Sequence, residues 1–316
     1  MIISRILKHF PDRGLEKSVF TKFMVREIQA KTILNPVPQP DTWFGLKYNM
    51  NLYRGCQHQC IYCDSRSSCY QLGDLADIRV KVNALELLAD ALPRKRVRGT
   101  IGFGSMNDPY MPVEREYRLT RGALKIIARH RFPVHLMTKS DLVLEDLELI
   151  KEISRRYAAV TFTITTADDQ LASVLEPGAP PPGARFAAMK AISAAGVLTG
   201  VTMMPILPFL EDTEENISEI LHRSLESGAD YIIPAFGMTL REGSREYFYQ
   251  KLEVHFPGIK EQYIRTFGGR YQCSSPNWEK LNRLTDKFSS EADIPLRIPI
   301  FKPRKRTAPD QQLDLF

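Results

Sequence analysis

Cys56, Cys60 and Cys63 stand on one short stretch, Cys56-Gln-His-Gln-Cys60-Ile-Tyr-Cys63, and are the residues of this chain best suited to chemistry. Cysteine thiolates grouped in this way hold an iron-sulfur cluster. Three of them ligate three irons of a [4Fe-4S] cubane and leave the fourth iron open. An open iron can chelate the amino and carboxylate groups of an amino acid such as S-adenosylmethionine (SAM), which sets a sulfonium beside a source of electrons. The expected chemistry is reductive cleavage of SAM to a 5'-deoxyadenosyl radical. A fourth ligand would close the site, and two residues offer one. His58 lies inside the loop, where bending back onto the same ion is awkward, and Cys69 lies six residues beyond Cys63. A zinc centre or a closed cluster is therefore the alternative.

The elements that must position this loop read as an α/β chain. Between Asn51 and Ala235, short β-branched runs alternate with amphipathic stretches, the pattern of β-α units feeding a parallel sheet. Six strands are expected, over 47–53, 100–104, 133–138, 159–165, 198–204 and 231–235. Helical periodicity is clear over 119–130, with apolar Leu119, Ala123, Ile126 and Ile127, and over 213–225, which opens on a Thr-x-x-Asn capping sequence. Six such units predict a partial (βα)6 barrel with its reactive residues at the strand C-termini. Those ends carry Gly55 to Cys63, Gly104 to Asp108, Lys139, Thr165 to Asp168 and Pro205. The predicted organisation is an N-terminal extension (1–46), the barrel (47–244), a C-terminal helical cap (245–294) and a flexible basic tail (295–316).

The 316 residues, 43% hydrophobic and 25% charged, suffice for one large α/β domain with appendages. No apolar run is long enough to cross a membrane and the N-terminus lacks a signal-peptide pattern, so the expected location is the cytoplasm. Five cysteines, three of them crowded together, do not make a disulfide framework. The net charge of +6 concentrates in Arg94, Lys95, Arg96 and Arg98, and again in Lys302, Arg304, Lys305 and Arg306. Either cluster can meet phosphates, or can simply be solvated surface.

The CxxxCxxC spacing, with Tyr62 just before the last cysteine, resembles the radical SAM superfamily. Tyr53-Arg-Gly-Cys, Asn107-Asp-Pro-Tyr110, His135-Leu-Met-Thr-Lys-Ser140 and Phe162-Thr-Ile-Thr165 further resemble its spore photoproduct lyase-like branch, often labelled DNA repair photolyases. The resemblance implies that Tyr62 lies against the adenine of SAM, that Lys139 pairs with its carboxylate, and that Asn107 and Thr163 hydrogen-bond it. Arg185 either reaches the same carboxylate or is a helix-surface cation.

The lyase reaction needs a cysteine after the second strand to return a hydrogen atom, and Ser105 stands there instead. A serine O–H bond is too strong to quench a carbon radical. Cys69, Cys273 or a tyrosine can replace it, with Cys273 the best placed, in a turn-rich segment able to fold over the mouth; a different cycle of SAM or a different substrate is also open. The expected function is a radical SAM enzyme acting on DNA, fed by an electron donor such as flavodoxin or ferredoxin. The alternatives are modification of RNA or protein, or a non-catalytic iron-sulfur or zinc adaptor. The last residues, Gln312-Leu-Asp-Leu-Phe316, match the pentapeptide by which bacterial repair proteins dock on the DNA sliding clamp, with Gln312, Leu313, Leu315 and Phe316 as its anchors.

Overall fold

The computed structural model describes residues 23–38 and 41–302. Six parallel strands form the centre of the fold: β3 (Leu46–Met50), β6 (Thr100–Phe103), β7 (Val134–Thr138), β8 (Ala158–Thr163), β9 (Leu198–Ile206) and β10 (Tyr231–Thr239). They neighbour one another in chain order, as successive β-α units require. Antiparallel strands β2 (Leu34–Pro36) and β11 (Gln272–Ser274) occupy the two edges, so the barrel stays open. A separate three-stranded sheet, ordered β1-β5-β4, combines β1 (Met24–Ile28), β4 (Tyr53–Arg54) and β5 (Asp77–Lys81).

Covered on both faces, the central strand β8 is buried at every position, which is why its sequence runs apolar and β-branched instead of alternating. The helices around it are α1 (Ala84–Ala91), α2 (Glu114–Tyr117), α3 (Leu119–His130), α4 (Leu147–Ser154), α5 (Asp169–Leu175), α6 (Pro182–Ala194) and α7 (Glu214–Glu226). Helix α3 buries Leu119, Ala123, Leu124 and Ile127, one stripe of an amphipathic helix. At α7 the Thr213 hydroxyl accepts from the Asn216 N–H at 3.2 Å, the cap its sequence predicts.

The flanking segments differ from their sequence reading. The N-terminal extension supplies β1 and β2. The region read as a helical cap holds α8 (Ser244–His255), α9 (Ile259–Phe267) and α10 (Trp278–Ala292), but also β11, and α10 packs beside the barrel on α7 and β10. The tail is not free from residue 295 onward. Pro295 accepts from the Ile232 N–H at 3.0 Å, and Ile298, 2% exposed, packs with Ala159, Tyr231 and Ile233. Among the described residues no helix is long and apolar enough to cross a membrane.

Candidate active site

At the C-terminal ends of the parallel strands lies a cavity of about 560 Å³, and Cys56, Cys60 and Cys63 all line it. The loop that carries them is pinned by its backbone: Cys56 N–H donates to Leu75 O at 2.9 Å and Ile61 N–H to Leu175 O at 2.8 Å. Gly178 N–H donates to His58 O at 2.9 Å, and a Cβ on Gly178 would come within 2.0 Å of Gln57 O. Only glycine lets the Glu176-Pro-Gly turn close on the cysteine loop.

Burial pushes the Cys56 thiol up to about 12, with Asp108 adding to it, and raises Cys60 further. Each must lose its proton to ligate iron. Among the described residues no three His, Cys, Asp or Glu side chains converge closely enough to share one metal ion. Three thiols facing one common cavity fit three corners of a cubane cluster. Of the two candidate fourth ligands, Cys69 does not line the cavity and is exposed, with its sulfur on Arg241 Nη1 at 3.3 Å, whereas His58 does line it, with Nδ1 3.4 Å from Asp108. His58 Nε2 is buried without a hydrogen-bond partner among the described residues.

Beside Cys60 a buried carboxylate, Glu176, gathers three predicted residues. Its oxygens accept from the Tyr62 hydroxyl and pair with the Arg185 guanidinium, and Lys139 Nζ stands 3.8 Å away. Burial opposes the charge on Glu176, but Arg185 and Lys139 outweigh it and hold the carboxyl below its ordinary range. Burial likewise works against the Lys139 ammonium, and Cys60 and Glu176 overcome it, lifting the group to about 12. The Tyr62 ring centroid is 5.7 Å from that ammonium. Tyr62 and Lys139 line the cavity. Arg185 does not. It is 1% exposed and donates to Thr163 O at 3.0 Å and Pro180 O at 2.9 Å, so it is neither a surface cation nor a cavity contact but a buried brace for Glu176.

Asn107 and Thr163 line the cavity as well. Asn107 Nδ2 donates to Tyr53 O at 2.5 Å, which leaves its carbonyl oxygen for a ligand. Asp108 next to it accepts from Thr138 Oγ1 and from Lys139 N–H, both at 2.7 Å, and so locks the turn that presents Lys139. Ser105 is on the wall, with its hydroxyl bonded to Asn49 Nδ2 at 2.8 Å.

Cys273 is not a cavity residue. Along β11 alternate side chains face opposite ways, so Gln272 and Ser274 line the cavity while Cys273 is fully buried with Met238, Phe248, Tyr263 and Phe267. The three loop cysteines are thus the cavity's only thiols among the described residues. The basic cluster Arg94 to Arg98 precedes β6, at the barrel end away from the cavity, and Lys302 follows Phe301, which packs against Tyr157 at that same end. Arg304, Lys305, Arg306 and the Gln312 to Phe316 motif lie outside the described residues.

Sequence reasoning missed Glu176 as a site residue, weighed His58 only as a fourth metal ligand, and gave Asp108 no role of its own. Glu176 had a signal in its Pro-Gly turn, and Asp108 in the Asn107-Asp-Pro-Tyr110 run. Trp43, which lines the cavity at 52% exposure, had none.

A family model described as the radical SAM superfamily matches residues 50–223. The chain is 32% identical over 263 residues to an uncharacterized protein of Mycobacterium tuberculosis, covering 79% of this chain and 76% of that one. It is 36% identical over 202 residues to an uncharacterized protein of Methanocaldococcus jannaschii, covering 63% and 74%. Among solved structures it is similar to spore photoproduct lyase complexed with dinucleoside spore photoproduct, at a TM-score of 0.65 and 17% identity over 84% of this chain and 79% of that one. That likeness shows the shared fold.

Proposed function

The chain belongs to the radical SAM superfamily and is an enzyme with a [4Fe-4S] cluster and SAM as cofactors, and from that premise we propose that it acts on nucleic acid, with DNA as the substrate. When bound, the cluster supplies the electron that splits SAM and so starts hydrogen abstraction from the substrate. The protein's part is placement. Cys56, Cys60 and Cys63 hold the irons, Lys139 meets the SAM carboxylate, Tyr62 offers its ring to the adenine, and Asn107 and Thr163 supply polar contacts. Glu176 and Arg185 act behind them, fixing Tyr62 and Lys139.

The observation that carries the substrate reading is Trp43, a half-exposed indole on the wall of the cavity that holds the cysteines. An aromatic face beside an open cavity suits an unstacked base. The dinucleoside bound by the structurally similar lyase supports the same reading. Ser105 cannot return a hydrogen atom and Cys273 faces away from the cavity, which leaves Cys69, a tyrosine or a different cycle of SAM to close the reaction.

The test is anaerobic reconstitution with dithionite and SAM, reading 5'-deoxyadenosine with and without ultraviolet-damaged DNA. Stimulation by damaged DNA is expected. Formation that DNA leaves unchanged, or that a peptide or RNA stimulates instead, overturns the DNA reading. An electron donor such as flavodoxin or ferredoxin supplies the reductant in this reading, and the Gln312 to Phe316 segment docks on the sliding clamp. A fluorescent peptide ending in Leu315-Phe316 should bind purified clamp; equal binding after Leu315→Ala with Phe316→Ala rejects that docking.

A further inference from the structure

The three-stranded sheet borders a second cavity, of about 350 Å³, that shares Met106 and Asn107 with the wall of the main one. Its cations come from three separate places: Lys31 after β1, Arg54 at the end of β4 and Lys81 at the end of β5. Alternation along β5 sets Asp77, Arg79 and Lys81 on one face. At the start of that strand Asp77 pairs with Arg26 and with Arg79, the latter at 3.1 Å, so the charges there are balanced. At its end they are not. Lys81 Nζ donates only to the Asn51 carbonyl at 2.5 Å, and Arg54 reaches only the Gln71 carbonyl at 3.5 Å. Among the described residues none of the three cations pairs with a carboxylate, and no Asp or Glu lines this cavity.

Like charges held together in a partly enclosed site repel one another and lose hydration. Burial, and then the neighbouring Arg54, lower the Lys81 ammonium. An anion would relieve both effects. Because the site shares a wall with the reaction cavity, its anion belongs with whatever enters that cavity, and a phosphodiester combines the charge, the acceptor oxygens and the link to a base. We propose that the side cavity of Lys31, Arg54 and Lys81 holds a backbone phosphate adjoining the nucleotide that enters the main cavity. The proposal rests on the nucleic-acid reading above and adds to it a fixed register for the strand.

The experiment titrates the full-length, reconstituted protein with a short single-stranded oligonucleotide and with a series in which one linkage at a time is a neutral methylphosphonate. The wild-type protein should lose about tenfold in affinity at one linkage, the effect of one charge-assisted contact. Lys31→Gln with Lys81→Gln should bind the unmodified strand about tenfold more weakly and be indifferent to methylphosphonate at that linkage. Its dependence of log K on log salt should also be shallower by about one. If the wild type binds the oligonucleotide but every methylphosphonate costs the same, the charge is diffuse and the subsite is wrong, while the nucleic-acid reading stands. The methylphosphonate series leaves the protein unaltered, so that result holds however the variant folds. Absence of binding to any oligonucleotide overturns the nucleic-acid reading itself and the subsite with it.

Discussion

At the mouth of the barrel Lys139, Glu176 and Arg185 are enclosed and paired with one another, whereas at the opposite end Arg98, Arg131 and Arg156 stand exposed and, among the described residues, without a carboxylate partner. Burial pulls the Arg156 guanidinium down, and Arg98 and Arg131 pull it further. Enclosed charges are costly to bury and are kept in one arrangement by their partners. Exposed ones are screened and attract any anion. The mouth can therefore hold a ligand in a defined pose, and the opposite end can only raise local concentration. Changes at the two ends should differ in kind.

The largest contrast is expected at the cluster. Cys60→Ser should abolish iron retention after reconstitution and all dithionite-dependent formation of 5'-deoxyadenosine, while Arg98→Gln should leave both intact. Iron assay and product chromatography read the two variants side by side. Retention of a full cluster by Cys60→Ser would remove the mouth from this comparison.

Next comes Glu176→Gln, which leaves Arg185 buried with no counter-charge. Breaking a buried pair in this way costs about 3–5 kcal/mol, measurable by denaturant unfolding. A cost below about 1 kcal/mol would mean that the network is solvated. Glu211, close by on the loop after β9, behaves in the opposite sense. Burial raises its carboxyl from 4.5 to about 8, against the hydrogen bonds from Thr165 Oγ1 and Leu207 N–H. A raised carboxyl favours the protonated folded state, so its contribution is complete below pH 4.5 and is lost as pH rises through 8. Glu211→Gln should flatten the fall in stability over that window, by a few kcal/mol at its upper end. An unchanged pH profile would place the charge elsewhere.

Much of the fold was legible because its signals are local. The strands β6 to β10 and helix α3 announce themselves by apolar periodicity, and the cysteine loop by spacing. Strand ends and the family resemblance together pointed to Asn107, Lys139 and Thr163, and the resemblance alone to Tyr62, all of which line the cavity. What stayed hidden depends on contacts between distant positions. Glu176 meets Tyr62 and Lys139 only after β7 and α5 are assembled, and the direction of Cys273 follows from the pairing of β11 with β10, a strand too short to be read. That pairing requires Gly237, at φ +144, where a Cβ would come within 2.7 Å of Cys273 O. Charge misled in the same way. The contiguous Arg94 to Arg98 run is conspicuous and sits at the far end, while Lys31, Arg54 and Lys81 meet only in three dimensions.

A smaller effect is expected at Lys139. Its ammonium stands on the cavity wall, 17% exposed, with Glu176 3.8 Å away. Lys139→Ala should weaken SAM binding by about 1.5–3 kcal/mol, the range for a hydrogen bond between charged groups, with cluster content retained. Equilibrium dialysis of labelled SAM checks it, and an unchanged affinity rejects the contact.

The smallest effect belongs to the opposite end. Arg98, Arg131 and Arg156 precede β6, β7 and β8, so a strand that places a base among the cysteines does not run past them at the same time. If the substrate is the nucleic acid proposed above, they act on it by long-range attraction, which falls off within about 10 Å at 0.1 M salt. Replacing all three with Gln should lower oligonucleotide affinity no more than twofold to threefold at that salt. The same replacement should leave unchanged the dependence of 5'-deoxyadenosine formation on saturating DNA. Duplexes long enough to reach both ends should show a larger loss at low salt, since counterion release scales with the phosphates neutralised. Anisotropy titrations with short and long DNA across a salt series separate these cases. If the triple variant loses as much on a short oligonucleotide as Lys31→Gln with Lys81→Gln does, the two ends act as one binding surface and the division between a positioning mouth and an attracting base is wrong.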